Sequence, residues 1–356
     1  MKRVLITPLD WGLGHATRCI PVIRELQLQG CEVLVAGSGD SLRLLQKEFP
    51  LMKTFVLPGY EPRYPGHGSM VLAMALQLPH FMRVIQAEHK AVDQIIEQEN
   101  ADALISDNRY GCWSRKIPSV FITHQSNILM PKRFGWLQHI VRKINDRMIN
   151  RFDSCWIPDT PGDPSLAGDL MSFGKATTKI NIAYIGWLSR FTPKNNAEKK
   201  YDVIAVFSGP EPQRTLVENI VLPQLRNSAL RYLVIRGLPG LENPRTDDRV
   251  IDFLSSGMLN EALDAAELVI ARSGFSTVMD MQALGKKVVF IPTPGQTEQE
   301  YLASRLMKKG IAYFMRQDQF RLDTALAASK NFTGFTRHEN NALLRHAISG
   351  LLASRE

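Results

Sequence analysis

The stretch that most limits what this chain can fold into runs from Leu268 to Asp280. An apolar run (Leu268, Val269, Ile270) breaks at Ser273-Gly274 and restarts as a helix carrying Thr277 and Asp280. A strand that passes directly into a helix start leaves unpaired backbone N–H groups and a positive dipole end at the turn, which suits phosphate. Asp280, about two helical turns in, is placed to accept hydrogen bonds from a ribose diol. A further strand (Val288 to Ile291) and a polar loop, Pro292 to Glu300, then offer groups for a polyhydroxylated ligand.

The same strand-to-helix alternation opens the chain. Arg3 to Thr7 reads as a buried strand, and His15 to Gln29 places Cys19, Ile20, Ile23 and Leu26 on one helical face. Gly30 stops that helix and Glu32 to Ala36 is the next strand, so a right-handed crossover and a doubly wound sheet are expected. The loop Gly12-Leu13-Gly14 has two glycines of a dinucleotide fingerprint, but Thr17 stands at the third place. The second strand also ends without a ribose-binding acid, which disfavours a nicotinamide or flavin enzyme. Strands Ala103 to Ile105 and Ser119 to Thr123 lead into polar clusters around Asp107 and His124. These two residues either face the same crevice as the glycine loop or cap the turns that follow. Punctuation by Pro and Gly between 158 and 200 places a boundary near Gly186. A second alternating unit begins at Asp202 to Phe207, turns at Ser208-Gly209-Pro210 and opens a helix at Pro212. Strands at Leu233 to Ile235, Val250 to Phe253 and Leu268 to Ala271 follow, with a helix over Asn260 to Ala266.

A length of 356 residues suits two domains, and 44% apolar with 22% charged residues is a globular composition. Cys19, Cys31, Cys112 and Cys155 are scattered without metal or disulfide spacing, and read as free thiols of a reducing cytoplasm. The start reads as a strand, not a signal peptide, and the most apolar stretch, Met70 to Met82, is too short to span a membrane. The net charge of +8 favours anionic partners without choosing among them. Much of it sits between Pro131 and Arg151, where Lys132, Arg133, Arg142, Lys143, Arg147 and Arg151 face one acid, Asp146. Leu137, Val141, Ile144 and Met148 line one face, so the segment reads as a basic amphipathic helix. Such a helix lies on an anionic membrane surface, with Met70, Met74 and Phe81 as an accessory patch, or it buries its stripe against a sheet.

The run Ala271 to Asp280 resembles the donor-binding signature of MurG-type glycosyltransferases. The resemblance implies an α/β GT-B fold: two Rossmann-like doubly wound parallel-sheet domains with a cleft between them. It implies an acceptor-binding domain over 1–186, a nucleotide-sugar-binding domain over 187–335, and a last helix, 336–356, returning to the first domain. Carried over, Ser273, Gly274 and Thr277 meet the diphosphate, Asp280 the ribose, and Gln299 and Glu300 the sugar. Phe253 and Met258 are candidates for the wall of the uracil pocket, and Gly209 faces the phosphates from the second domain. The ribose acid is more often Glu in the family, Glu300 stands where it has a second Gln, Trp11 replaces a glycine, and Glu211 falls in a loop that is usually glycine-rich.

No Asp-x-Asp occurs, so the phosphates are expected to be neutralised by helix ends and by Arg272 or Arg236 rather than by a metal. The implied activity is inverting transfer of an N-acetylhexosamine from a UDP-sugar, the donor substrate, to a lipid-linked or glycan acceptor. No further cofactor and no nucleic acid are expected, and the location is cytoplasmic or at the inner membrane face. His15 is the candidate base and Asp107 its rival, with Gly12, Gly14 and His124 on the acceptor side. A UDP-sugar 2-epimerase of the same architecture, or a non-catalytic nucleotide-sugar binder, stays open as an alternative.

Overall fold

The computed structural model describes residues 1–65, 70–129, 132–171, 179–194, 198–239, 248–337 and 341–353. Seven strands form the first sheet: β1 (Arg3–Pro8), β2 (Glu32–Gly37), β3 (Thr54–Val56), β4 (Ala103–Asp107), β5 (Ser119–Ile122), β6 (Ser154–Ile157) and β7 (Asn181–Tyr184). Their order is β3-β2-β1-β4-β5-β6-β7, all parallel. The second sheet has six: β8 (Tyr201–Val206), β9 (Tyr232–Ile235), β10 (Val250–Ile251), β11 (Ala266–Ala271), β12 (Lys287–Phe290) and β13 (Tyr313–Phe314). Its order is β10-β9-β8-β11-β12-β13, again parallel. Both orders reverse direction at their first strand, β1 or β8, and a doubly wound sheet opens its ligand crevice at that reversal.

Among the described residues ten α-helices accompany these strands: α1 (Leu13–Leu28), α2 (Gly39–Glu48), α3 (Met70–Glu99), α4 (Gln138–Ile149), α5 (Gln213–Arg226), α6 (Ser256–Asp264), α7 (Phe275–Leu284), α8 (Thr297–Lys308), α9 (Leu322–Ser329) and α10 (Asn341–Ala353). Central strands are apolar on both faces because helices cover both sides: Val4, Leu5 and Ile6 of β1 are fully buried. α6 begins four residues earlier than the apolar pattern suggests. Ser255 caps it by accepting from the Met258 N–H, and a satisfied helix start outweighs the glycine at 257. α10 lies against the first sheet's helix α1, where Arg345 pairs with Glu25 and Ser349 bonds Gln29.

One apolar cluster runs from Val4 and Ile6 through Ile20 and Ile23 of α1 to Val278 and Met281 of α7 and Phe290 of β12. The two sheets therefore share a core where α1 faces α7. The helices approach closely at Gly14, where an added Cβ would stand 3.0 Å from Ser276 Oγ, and that hydroxyl donates to the Gly14 carbonyl at 2.8 Å. Gly12, the cap of α1, has φ +85°, a conformation that a side chain would oppose. A second join lies along α8, whose residues one turn apart meet loops of the first unit. Thr297 Oγ1 donates to the Leu129 carbonyl, the Tyr301 hydroxyl accepts from the Asp169 N–H, and Arg305 donates to the Ser165 carbonyl.

α4 differs from the expected orientation. It buries Asn145, Asp146 and Ile149, because Asn145 bonds the Tyr110 hydroxyl and the Ser126 carbonyl, and two buried hydrogen bonds hold that polar face inward. Ile140 and Ile144 are left 50% and 56% exposed, and Trp136 in the preceding turn 73%. Phe81, expected at the surface, is buried instead with Tyr60 and Ile85, while Leu72, Leu76 and Leu78 of α3 are exposed. The side chains of Met70, Lys132 and Arg133 lie outside the described residues. No helix among the described residues is long and apolar enough to cross a membrane.

Packing around Gly111 makes a stability prediction. An added Cβ there would stand 2.3 Å from the Ile85 carbonyl and 2.7 Å from Glu88 Oε2, both held by the α3 backbone or by a buried ion pair with Arg109. Gly111→Ala is expected to destabilise the fold by about 2 kcal/mol or more, read as a lower midpoint in urea unfolding. An unchanged midpoint contradicts the tight packing at this site.

Candidate active site

The carboxyl ends of β1, β4 and β5 and those of β8, β11 and β12 face one another across a cleft. His15, Arg18 and His124 line its first wall; Gly209, Arg272, Gly274, Thr277, Glu298 and Gln299 line the second. Gly12 and Gly14 form the lip between them.

The first wall is built around Asp107, at the end of β4 and fully buried. Its carboxylate takes Arg18 Nε on Oδ2 at 2.5 Å, Arg18 Nη2 on Oδ1, and stands 2.9 Å from His15 Nδ1. Burial alone would raise its pKa, but Arg18 and then His15 hold the carboxyl far below the usual range. Asp107 is thus an ionised anchor inside the wall, not a residue of the cleft surface. His15 Nδ1 also lies 2.9 Å from Arg18 Nη2. Arg18 Nη2 already donates to Asp107 Oδ1; in the tautomer whose Nδ1–H donates to that carboxylate, the lone pair of His15 falls on Nε2. The pKa of His15 is lowered, first by burial and then by Arg18, with Asp107 opposing. The positive end of the α1 dipole acts in the same direction, but desolvation leads. Arg18 Nη1 stands 2.7 Å from His124 Nδ1; a guanidinium can only donate, so His124 accepts there and a neutral ring carries its proton on Nε2.

The second wall centres on the start of α7. Asp280, one face down that helix, is buried in a pocket shared with Phe253 and Thr277. Ser189 Oγ donates to its Oδ1 at 2.6 Å. Burial pushes the Asp280 carboxyl up to about 6, with Arg190 and Ser189 opposing. Arg272 is buried, with Nη1 on the Ile291 carbonyl and Nη2 on Gln213 O and Gln317 Oε1. Burial pulls its pKa down to about 9, and its Nε has no partner. Gln299 Oε1 accepts from the Thr293 N–H at 2.8 Å, and Glu300 Oε1 from the Gly295 N–H at 2.9 Å, so both carboxyl and carboxamide oxygens brace the loop. Ser273 Oγ is buried and donates to the Gln299 carbonyl.

Several expected residues stand elsewhere. Arg236 lines none of these pockets: its Nε reaches both Glu218 oxygens at 2.9 Å and its Nη1 reaches Asp252 Oδ1 at 2.5 Å. Met258 is exposed in the first turn of α6, whereas Phe253 lines the pocket of Asp280 with Lys47 Nζ over its ring. Glu211 takes Arg214 Nε on one oxygen and the Thr215 N–H on the other, capping α5, and lines a neighbouring cavity of about 680 Å³. Sequence reasoning passed over Arg18 and Glu298. Arg18 follows His15 by three residues, one helical turn on the same face, which is a readable signal. Glu298 sits among five consecutive polar residues, Gln296 to Glu300, at the start of α8, and nothing local singles it out.

Residues 211–342 match the glycosyltransferase family 28 C-terminal domain. The chain is 26% identical to the UDP-N-acetylglucosamine--N-acetylmuramyl-(pentapeptide) pyrophosphoryl-undecaprenol N-acetylglucosamine transferase of Haemophilus ducreyi, over 91% of this chain and 88% of that one. It is 24% identical to an uncharacterized glycosyltransferase of Methanosarcina mazei, over 86% and 85%. Among solved structures, MurG of Acinetobacter baumannii superposes over 99% of both chains with a TM-score of 0.55 at 14% identity. Two facing parallel sheets with this topology are the GT-B architecture expected from the donor turn. Five of the six strands of the second sheet, β9 to β13, fall inside the matched region, so the chain carries a glycosyltransferase family 28 C-terminal domain and is similar to MurG-like glycosyltransferases along nearly its whole length.

Proposed function

We propose that this protein is an inverting glycosyltransferase that moves a sugar, an N-acetylhexosamine, from a UDP-sugar to a lipid-linked or glycan hydroxyl without a metal. The first sheet with the returning α10 (residues 1–186 and 336–356) holds the acceptor, and residues 187–335 hold the donor. The observation that carries this reading is that His15, anchored through Nδ1 on Asp107, shares one cleft with the start of α7. Uracil packs against Phe253, the ribose diol donates to Asp280, and the diphosphate lies at Gly274 to Thr277 with Arg272 behind it. Gln299 and Glu300 meet the sugar, and Gly209 approaches the phosphates.

His15 Nε2 takes the proton of the acceptor hydroxyl as its oxygen bonds to the anomeric carbon. The bond from that carbon to the diphosphate oxygen breaks, and the diphosphate leaves with the electron pair. A neutral imidazole is needed at the start, and burial beside Arg18 favours it. Asp107 orients the ring and stabilises the imidazolium that forms. His15→Ala is expected to lower turnover about 10²- to 10⁴-fold with donor affinity nearly intact. Wild-type turnover in that variant, beside a dead Asp107→Ala, transfers the role of base to Asp107.

The ribose contact has its own signature. Asp280→Ala is expected to weaken UDP binding by more than about tenfold, as two hydrogen bonds to a charged acceptor are lost. A carboxylate accepts from both hydroxyls and a carboxylic acid from fewer, and the Asp280 carboxyl sits at about 6. UDP affinity should therefore rise as pH increases through about 6 in the wild type. The UDP phosphates also titrate there, so the reference is Asp280→Asn, whose affinity converges with wild type at low pH and falls behind above pH 6. Parallel profiles from calorimetric titration remove Asp280 from the site.

A lipid-linked acceptor needs an approach to a membrane. Trp136, Ile140 and Ile144 are exposed on the basic segment containing Lys143 and Arg147, Leu72, Leu76 and Leu78 are exposed on α3, and the two helices pack on one apolar cluster through Phe81 and Met148. This face lies on the membrane surface with its basic residues toward anionic headgroups. Sedimentation with phosphatidylglycerol vesicles is expected at low salt and lost at high salt, and weakened by Trp136→Ser. No binding at low salt sinks the membrane reading.

A further inference from the structure

Glu298, in the first turn of α8, carries a carboxylate that does two things with one atom. Its Oε1 accepts from the Phe275 N–H, the first of α7, at 3.3 Å, and the same oxygen stands 3.2 Å from His124 Nε2 on the opposite wall. The second approach is an ion-pair distance that lies off the line of a good hydrogen bond. An anion belongs at a helix N-terminus, and the chain has put its own there. Two further features show that the place is made for something else. The Nε of the buried Arg272, in the same wall, has no partner. The cleft pockets at Glu298 and at Asp280 measure about 120 and 90 Å³, below the several hundred Å³ (roughly 300–1,000) usual for ligands of this size, and the larger cavity of about 680 Å³ adjoins them on the side of Gly209 and Glu211, away from the start of α7.

We infer that Glu298 is a built-in competitor for the donor: its carboxylate occupies the seat of a donor phosphate at the start of α7, braced by His124, and the incoming phosphate must displace it. The inference rests on the reading of the α7 turn as the phosphate site and adds the residue that sets the affinity there. Phosphate oxygens take the Phe275 N–H, and Glu298 swings out, vacating part of the volume the donor needs. No covalent step is involved. Glu298 thereby acts as a specificity residue, since a ligand with one weakly charged group at this point gains less from the helix end than a diphosphate does.

The test uses inorganic pyrophosphate, which needs no uracil or ribose contact. Glu298→Gln, nearly isosteric, is expected to bind it about tenfold more tightly than wild type in calorimetric titration at low salt. Glu298→Ala is made beside it, so that a folding defect in one leaves the other to decide. In a crystal structure of the wild-type complex, a pyrophosphate oxygen is expected on the Phe275 N–H with Glu298 turned away. Equal or weaker binding by the variants, no binding by any of the proteins, or a complex with Glu298 still on Phe275 overturns the inference. UDP titrated into wild type answers the other question: a protein that binds pyrophosphate but not UDP loses the uridine donor and keeps its competitor.

Discussion

The guanidinium of Arg18 is almost wholly withdrawn from water and has to find its partners inside the protein. Moving an arginine and a carboxylate into the interior costs several kcal/mol per ion before any pairing. Here Nε and Nη2 cover both oxygens of Asp107, while Nη1 goes to His124, so no face of the group is left uncompensated. One ion pair consequently sets the position of two histidines that come from different elements, His15 from α1 and His124 from the loop after β5. It also removes Asp107 from solution chemistry, because a carboxylate held by an arginine has no reason to take a proton near neutral pH. Removing either Arg18 or Asp107 leaves the other as a buried, unmatched charge, a larger loss than the pair is worth by itself.

The opposite wall is handled with the same economy of sign. Two helices of the second unit that start at the cleft, α5 and α7, each have a first-turn N–H, of Thr215 and Phe275, facing a glutamate oxygen, from Glu211 and Glu298 respectively. The two acids differ in surroundings. Glu211 is half exposed, 52% at its side chain, and is tied to Arg214 on its own helix, so it belongs to α5. Glu298 reaches across to another helix and another sheet. The bonds of Glu211 to Arg214 and to the Thr215 N–H make the loop before α5 a closed helix cap. On the proposed donor reading, the start of α7 is the helix end that an anion of the ligand would use.

The two units meet through contacts of two physical kinds. At the back of the cleft α1 and α7 share an apolar core, whose attraction depends on area and not on direction. At the front α8 meets the first unit by hydrogen bonds that Thr297 and Arg305 donate and Tyr301 accepts, residues four apart on one face of the helix. Those bonds are lost outright by small shifts, whereas the apolar contact is not. Glu298 stands at the front, in the same first turn as Thr297, and so lies where the fit between the units is most sensitive to position.

How much of this could be read from residues alone follows from the range of each interaction. Periodicity is local, so the strand-to-helix alternation and both glycine turns were legible. Element ends moved by a few residues where a cap such as Ser255 intervened. The placement of Asp280 beside Phe253 followed from a turn motif of ten residues and a resemblance that extends beyond it. The orientation of α4 was not legible, because its apolar stripe was the only signal in the segment. What decides which face is buried is Asn145, through bonds to Tyr110, 35 residues away in sequence, and to the Ser126 carbonyl. Arg236 looked like a free cation at a strand end, but Glu218, from a helix earlier in the chain, and Asp252, from the next strand's end, take it up. Charges of opposite sign find each other through the fold, at separations no spacing rule encodes. A side chain's charge therefore indicates what it can bind, and only the assembled neighbours show whether it is still available.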